Sequence, residues 1–196
     1  MGDEVVQKNI LLTGPPGCGK STIIKKIVQR IDLPCTGFFT REMREKGRRV
    51  GFSIATLDGR RGIMAHINIR SRNRVGKYGV NLQNIDTIAV PSMVAENDNV
   101  VVVVDEIGKM ECFSAMFRQT LLRLLDSPNT VVGSIAQKGD AFINAIKKRP
   151  DSRLIAVFEK NRDVLYIAPY IIAHNILNIL FGFCQHLNNE STASAT

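Results

Sequence analysis

Apolar residues fall along this chain in two spacings that take turns, and the alternation points to an architecture before any single residue does. Residues 8–13 hold a short apolar run, Asn-Ile-Leu-Leu, long enough for a strand and too short for a helix. It breaks into a Gly/Pro-rich stretch, residues 14–19. From residue 20 to 31 the spacing changes. Ile23, Ile24, Ile27, Val28 and Ile31 share one stripe of a predicted helix, which Pro34 ends. Residues 36–41 are aromatic and β-branched and predict a second strand. Five valines at 100–104 are apolar on both faces and predict a central parallel strand buried on both sides. Phe113, Met116, Phe117, Leu121 and Leu124 repeat at helical spacing until Pro128. Residues 130–135, 140–148 and 153–158 predict strand, helix and strand, with a long helical region from about residue 161. Strands alternating with helices predict a three-layer α/β sandwich around a mainly parallel central sheet.

Two regions depart from that rhythm. Turn signals at Lys46-Gly47 and Asp58-Gly59 bracket residues 50–57, which alternate loosely, as a hairpin strand would. This reads as an antiparallel hairpin insertion where a simple βαβ unit would have gone straight on. Residues 81–97 read as helical in pieces, interrupted by Pro91. At 196 residues the chain is long enough for one sizeable core, so residues 1–187 are expected to form a single domain and the small polar residues 188–196 a frayed tail. The stretch 164–184 is largely apolar but contains Pro169, His174, Asn175 and Asn178, which would be costly in a lipid-facing span. It reads as a helix packed on the core, and no membrane partner is expected.

Composition sharpens this picture at two points. Cys18, Cys35, Cys112 and Cys184 are scattered, with no C-x-x-C pair, which argues against a disulfide framework or structural zinc and for reduced thiols in the cytoplasm. The net charge of +8 is concentrated: residues 41–77 hold eleven Lys or Arg against three acids, and the rest of the chain is neutral. A basic segment of this kind can fold as a lid over bound triphosphate or hold polyanions on its outer face, and the lid is the favoured expectation. Nucleic acid is a possible but less favoured partner, since the segment carries no RNA- or DNA-binding motif.

The chemistry is concentrated in Gly14-Pro15-Pro16-Gly17-Cys18-Gly19-Lys20-Ser21, a complete G-x-x-x-x-G-K-[ST] sequence between a predicted strand and a predicted helix. Its glycines let successive N–H groups point inward as an anion-binding nest, and the helix N-terminus faces the same spot. Lys20 is expected to reach the β- and γ-phosphates, the Ser21 hydroxyl to bind Mg²⁺ and Thr22 to bond the α-phosphate. Cys18 only fits the loop. Asp105 and Glu106 end the valine strand. Asp105 is the expected Mg²⁺ ligand and Glu106 the expected general base or water-positioning group. Gly108 permits a turn there, and Lys109 is a candidate cation for the transition state. Arg41 follows a predicted strand, which would bring it beside the phosphates.

Several of these pieces, in one order, resemble the cancer-related nucleoside-triphosphatase family, also called the THEP1 family. They are Leu-Thr-Gly-Pro-Pro-Gly-Cys-Gly-Lys-Ser-Thr (12–22), Gly-Phe-Phe-Thr-Arg-Glu (37–42), Arg-Arg-Val-Gly-Phe (48–52), Arg-Val-Gly-Lys-Tyr-Gly-Val (74–80), Val-Asp-Glu-Ile-Gly-Lys-Met-Glu (104–111) and Asn-Arg-Asp (161–163). The resemblance implies a P-loop NTPase fold of the additional-strand, kinase-like type. It also implies slow hydrolysis of several nucleoside triphosphates to diphosphate and phosphate. It puts residues 14–21 and about 102–109 at the nucleotide: Val102, Val103, Val104, Asp105, Glu106, Ile107, Gly108 and Lys109. Asn161 and Arg162 are expected there as well. The chain departs from the family pattern at Val157-Phe158-Glu159-Lys160, where a threonine usually precedes Asn-Arg. No Asn-Lys-x-Asp guanine reader and no tryptophan are present. Loose use of ATP, GTP, CTP and UTP by a monomer is therefore expected. Two alternatives stay open: a small-molecule kinase, with Arg41, Arg70, Arg72 and Arg74 holding a second anion, and a nucleic-acid-associated ATPase.

Overall fold

A computed structural model of the protein describes residues 6–161. Arg162 and the apolar stretch 164–184 lie outside the described residues. Among those described, nine strands form one sheet. Strands β1 (Asn9–Thr13), β2 (Cys35–Glu45), β7 (Val101–Ile107), β8 (Val131–Ile135) and β9 (Ser152–Ala156) pair in parallel, in the order β2-β7-β8-β1-β9. Strand β8 therefore separates the strand that enters the phosphate-loop sequence from the valine strand. The additional-strand topology implied by the sequence resemblance is the one observed.

The valines show why β7 is central. Val101 and Val103 join the cluster that includes Ile23, Ile24 and Ile27 of helix α1 (Lys20–Val28), while Val102 and Val104 join the cluster on the other face. There they meet Phe117 and Leu121 of helix α4 (Ala115–Asp126) and Ile143 of helix α5 (Ala141–Lys147). Successive side chains of a strand point to opposite faces, so an unbroken apolar run is the composition this position demands. Ser114 caps α4 by accepting the N–H of Phe117 at 2.9 Å. Phe113, expected inside that helix, instead lies in a short 3₁₀ turn (Glu111–Phe113) ahead of it.

The basic insertion is not a lid. Strands β3 (Arg48–Thr56), β4 (Arg61–His66), β5 (Arg74–Val75) and β6 (Tyr78–Val80) continue the same sheet beyond β2 in the order β5-β6-β4-β3-β2, every pair antiparallel. Ile54, Met64, Ala65, Tyr78 and Val80 are buried in one cluster with Leu11 and Phe38. A segment tied by strand pairing and a shared core is a fixed wall, and folding it over a ligand would mean breaking both. The helical pieces that follow, α2 (Leu82–Asn84), a π-helical turn (Ile85–Ala89) and α3 (Val90–Ser92), run on without a break at Pro91. Pro91 sits in the last turn, where the widened π turn ahead of it absorbs the missing N–H.

Ile54 measures how much of the core the wall supplies. Ile54→Ala removes a fully buried side chain, so the protein should lose about 2–5 kcal/mol in a denaturant titration and still unfold in one transition. A loss below about 1 kcal/mol would make the antiparallel strands peripheral.

Candidate functional site

One cavity of about 650 Å³ opens where the phosphate-loop sequence, the end of β7 and the inner wall of the antiparallel strands meet. Pro16, Gly17, Gly19, Lys20, Ser21 and Thr22 line it from the loop and α1. Asp105, Glu106, Gly108 and Lys109 line it from the β7 side, and Arg41 from β2.

The loop is folded tightly on itself. Gly14 has φ 151° and packs so closely on the Val157 carbonyl that a Cβ there would lie 2.2 Å from its oxygen, so no other residue fits. Lys20 is almost fully buried, and its Nζ donates to the carbonyls of Gly14 and Pro15 at 3.0 Å each. Cys18 is buried, with Sγ 3.9 Å from the same ammonium. Gly14, Pro15 and Cys18 thus shape the loop from behind and do not line the cavity.

At the end of β7 the pairing with β8 shifts register between Val104 and Ile107. Such irregularities re-aim side chains. Asp105 is 2% exposed. Its Oδ1 accepts a short hydrogen bond from Ser134 of β8, while Oδ2 is buried with no hydrogen-bond partner among the described residues. Burial pushes the Asp105 carboxyl above the usual range, against the smaller opposing pull of the Ser134 and Ser21 hydroxyls and the Lys20 charge. Glu106 is shifted upward too, first by burial, with Lys20 opposing and Asp105 reinforcing.

A third carboxyl joins them. Glu111 is 4% exposed and lines the cavity, and its Oε1 accepts from Thr40 Oγ1 at 3.5 Å. It crowds Gly108 together with Glu106: a Cβ on Gly108 would lie 2.8 Å from Glu111 Oε2 and 3.3 Å from Glu106 Oε1. Burial, then the nearby Glu106 charge, pushes Glu111 up to about 8, so it is a neutral hydrogen-bond donor at pH 7. Sequence reasoning left Glu111 without a role. It follows a glycine turn by three residues; the Cys112 N–H bonds the Gly108 carbonyl at 3.0 Å across that turn, and the 3₁₀ turn begins at Glu111 itself, its Ser114 N–H bonding the Glu111 carbonyl at 3.0 Å.

Several expected contacts need correction. Val102, Val103, Val104 and Ile107 are fully buried in the two core clusters and do not line the cavity; they carry Asp105 and Glu106 to it. Asn161 does not line the cavity. Its side chain closes the turn after β9, accepting from the Phe158 N–H at 2.7 Å and donating to the Ala156 carbonyl at 2.9 Å. Arg70, Arg72 and Arg74 are exposed and do not line the cavity either, and Arg74 is engaged by the carbonyls of Ile69 and Lys77. The arginine that joins Arg41 in the cavity is Arg49.

This chain is similar to proteins of known family. The sequence model described as NTPase matches residues 9–168. The chain is 45% identical over 157 residues to the nucleoside-triphosphatase THEP1 of Thermotoga maritima, an alignment covering 80% of this chain and 90% of that one. It is 37% identical over 177 residues to the cancer-related nucleoside-triphosphatase of Homo sapiens, covering 81% and 92%. The crystal structure of THEP1 from the hyperthermophile Aquifex aeolicus superposes with a TM-score of 0.73 at 36% identity, covering 81% of this chain and 94% of that one.

The buried carboxyls set a pH dependence of stability. Glu111 holds its proton up to about pH 8 in the folded chain and loses it near the ordinary 4.5 when unfolded. Its favourable contribution is therefore complete below pH 4.5 and is lost as pH rises through about 8. The melting temperature of wild type should fall relative to Glu111→Gln between pH 5 and pH 9 in parallel thermal melts. A constant difference across that window would mean that Glu111 titrates normally.

Proposed function

The chain belongs to the NTPase family, and from that premise we propose that it hydrolyses nucleoside triphosphates to diphosphate and phosphate, dependent on Mg²⁺ and with loose base specificity, taking ATP, GTP, CTP and UTP. The observation that carries this reading is one cavity holding Lys20 and Ser21 of the phosphate-loop sequence with buried Asp105 and half-buried Glu106.

In this reading the Lys20 ammonium leaves the Gly14 and Pro15 carbonyls for the β- and γ-phosphates, exchanging two neutral acceptors for charged ones. The residues present fit a magnesium ion: the Asp105 Oδ2 atom is buried without a partner among the described residues, and the Ser21 hydroxyl lines the same cavity. Both are hard oxygen donors. Bound by them, Mg²⁺ would neutralise charge on the β- and γ-phosphate oxygens. Glu106 orients the attacking water and takes its proton, and its upward shift moves it toward the working pH, where a general base is most effective. Lys109, an exposed cation on the cavity rim, stabilises the negative charge of the departing group. Thr22 bonds the α-phosphate. No guanine-reading sequence is present and Asn161 is engaged in its own turn, both of which support loose base use. The free thiols of Cys18, Cys35 and Cys112 support a reducing, cytoplasmic setting, and a monomer suffices because one chain supplies every group named.

Two variants separate binding from chemistry. Lys20→Ala should weaken triphosphate binding by about 1.5–3 kcal/mol in a calorimetric titration, because it removes a charge-assisted hydrogen bond. Glu106→Gln should lower kcat by about 10²–10⁴ with little change in KM. Wild-type phosphate release from Lys20→Ala would place the chemistry elsewhere. Equal losses of affinity and kcat in Glu106→Gln would make Glu106 the metal ligand.

A further inference from the structure

The cavity does not end at the catalytic carboxyls. It is also lined by Arg41 of β2, Arg49 and Phe52 of β3, Met64 of β4 and Val75 of β5. Arg41 is expected beside the phosphates, but the proposed phosphate contacts and proton transfer give Arg49, Phe52, Met64 and Val75 no role.

Its walls are built and held in place. Arg49 lies over the Phe52 ring, 5.2 Å from its centroid, and 5.7 Å from that of Tyr78, while the two rings meet edge to face at 5.3 Å. Its guanidinium donates to Tyr78 Oη at 3.1 Å and to Glu42 at 2.7 Å. A guanidinium fixed on two sides and stacked on aromatic rings loses little further freedom when a ligand arrives. Glu42 is held below the usual carboxylate range by Arg49 and Arg44, so this acid is already compensated. Arg41 and Lys109 have no ion-pair or hydrogen-bond partner among the described residues, and both line the cavity. Protonated Glu111, whose Oε1 accepts from the Thr40 hydroxyl, lines the same cavity as a hydrogen-bond donor. A flat apolar surface bordered by uncompensated cations and a neutral donor matches a molecule with an apolar ring and an anionic group.

We propose that this half of the cavity, walled by Arg41, Arg49, Phe52, Met64 and Val75, binds a second small molecule alongside the nucleotide: an organic anion with a flat apolar body. The proposal rests on the triphosphate reading of the loop, which puts this space on the attacking side of the γ-phosphate. An occupant there stands where water must approach Glu106, so it acts on turnover and leaves nucleotide affinity unchanged.

The test uses the full chain and 1-anilinonaphthalene-8-sulfonate, a flat aromatic sulfonate whose fluorescence reports binding. The probe should bind at one site with the same Kd, without nucleotide and with saturating Mg²⁺ and a non-hydrolysable ATP analogue. Phe52→Ala should weaken it about tenfold by removing the stacking surface. Val75→Asp, which adds a repelling charge at the rim, gives a second readout should Phe52→Ala fold poorly. Added to wild type, the probe should lower kcat for phosphate release with KM unchanged. Displacement of the probe by nucleotide, or a rise in KM with kcat unchanged, would assign the space to the nucleotide and overturn the proposal. Binding indifferent to both substitutions, or turnover unaffected at saturating probe, would overturn it as well. Failure of the hydrolase reading alone would look different: the probe would still bind and still respond to Phe52→Ala, while wild type released no phosphate.

Discussion

Asp105 carries a carboxylate to a place where a carboxylate is costly, and the arrangement of β7 and its neighbours follows from that placement. The strand ahead of it is buried on both faces by two separate clusters. Asp105 is therefore delivered to the end of an apolar column, at the cavity wall, with one oxygen bonded to Ser134 and the other without a partner among the described residues. Taking an ionised group out of water is unfavourable by several kcal/mol unless counter-charge or hydrogen bonds replace the lost hydration. Here the Ser134 and Ser21 hydroxyls and the nearby Lys20 ammonium replace part of it, and burial still shifts the carboxyl upward. Such residual disfavour is expected where a binding site is stored in a fold, since the ligand relieves it on arrival.

Topology supplies the partners. Because β8 lies between β1 and β7, Ser134 stands beside Asp105, and the loop that leaves β1 reaches over to the same edge. On the other flank, β2 pairs with β7 through Phe39 opposite Asp105 and then runs on into the antiparallel strands. The phosphate side and the far wall of the cavity thus belong to one continuous sheet. Distances across the cavity are set by strand pairing, and a hinged segment is not required to define them.

Much of this was legible in the sequence, and what was not has physical reasons. The loop, the valine strand and α4 were readable because each is local: a strand, a turn and a helix of the right period in consecutive residues. The number of antiparallel strands was not, because only residues 50–57 alternate and even they do so loosely, while β5 and β6 are two and three residues long. Their place is decided by burial of Met64, Tyr78 and Val80 against residues far away in sequence. Arg49 could not be singled out among the basic residues because its partners, Glu42 and Tyr78, come from other strands. The resemblance implies residues 102–109 at the nucleotide as a block, and strand geometry divides that block. Val102, Val103 and Val104 face the two cores, and the side chains from this strand that line the cavity are those of its end, Asp105 and Glu106.

The central claim is that the buried, half-satisfied carboxylate of Asp105 is kept for a cation arriving with a triphosphate. Differential scanning calorimetry of wild type and Asp105→Asn, each alone and with Mg²⁺ plus a non-hydrolysable ATP analogue, tests it most directly. The neutral amide keeps the shape and a partner for Ser134, so ligand-free Asp105→Asn should melt at or above the wild-type temperature. The rise in melting temperature that magnesium and nucleotide give wild type should disappear in the variant, because that rise is binding free energy. A ligand-free variant that melts below wild type yet keeps the full rise would contradict the account and make Asp105 a structural residue.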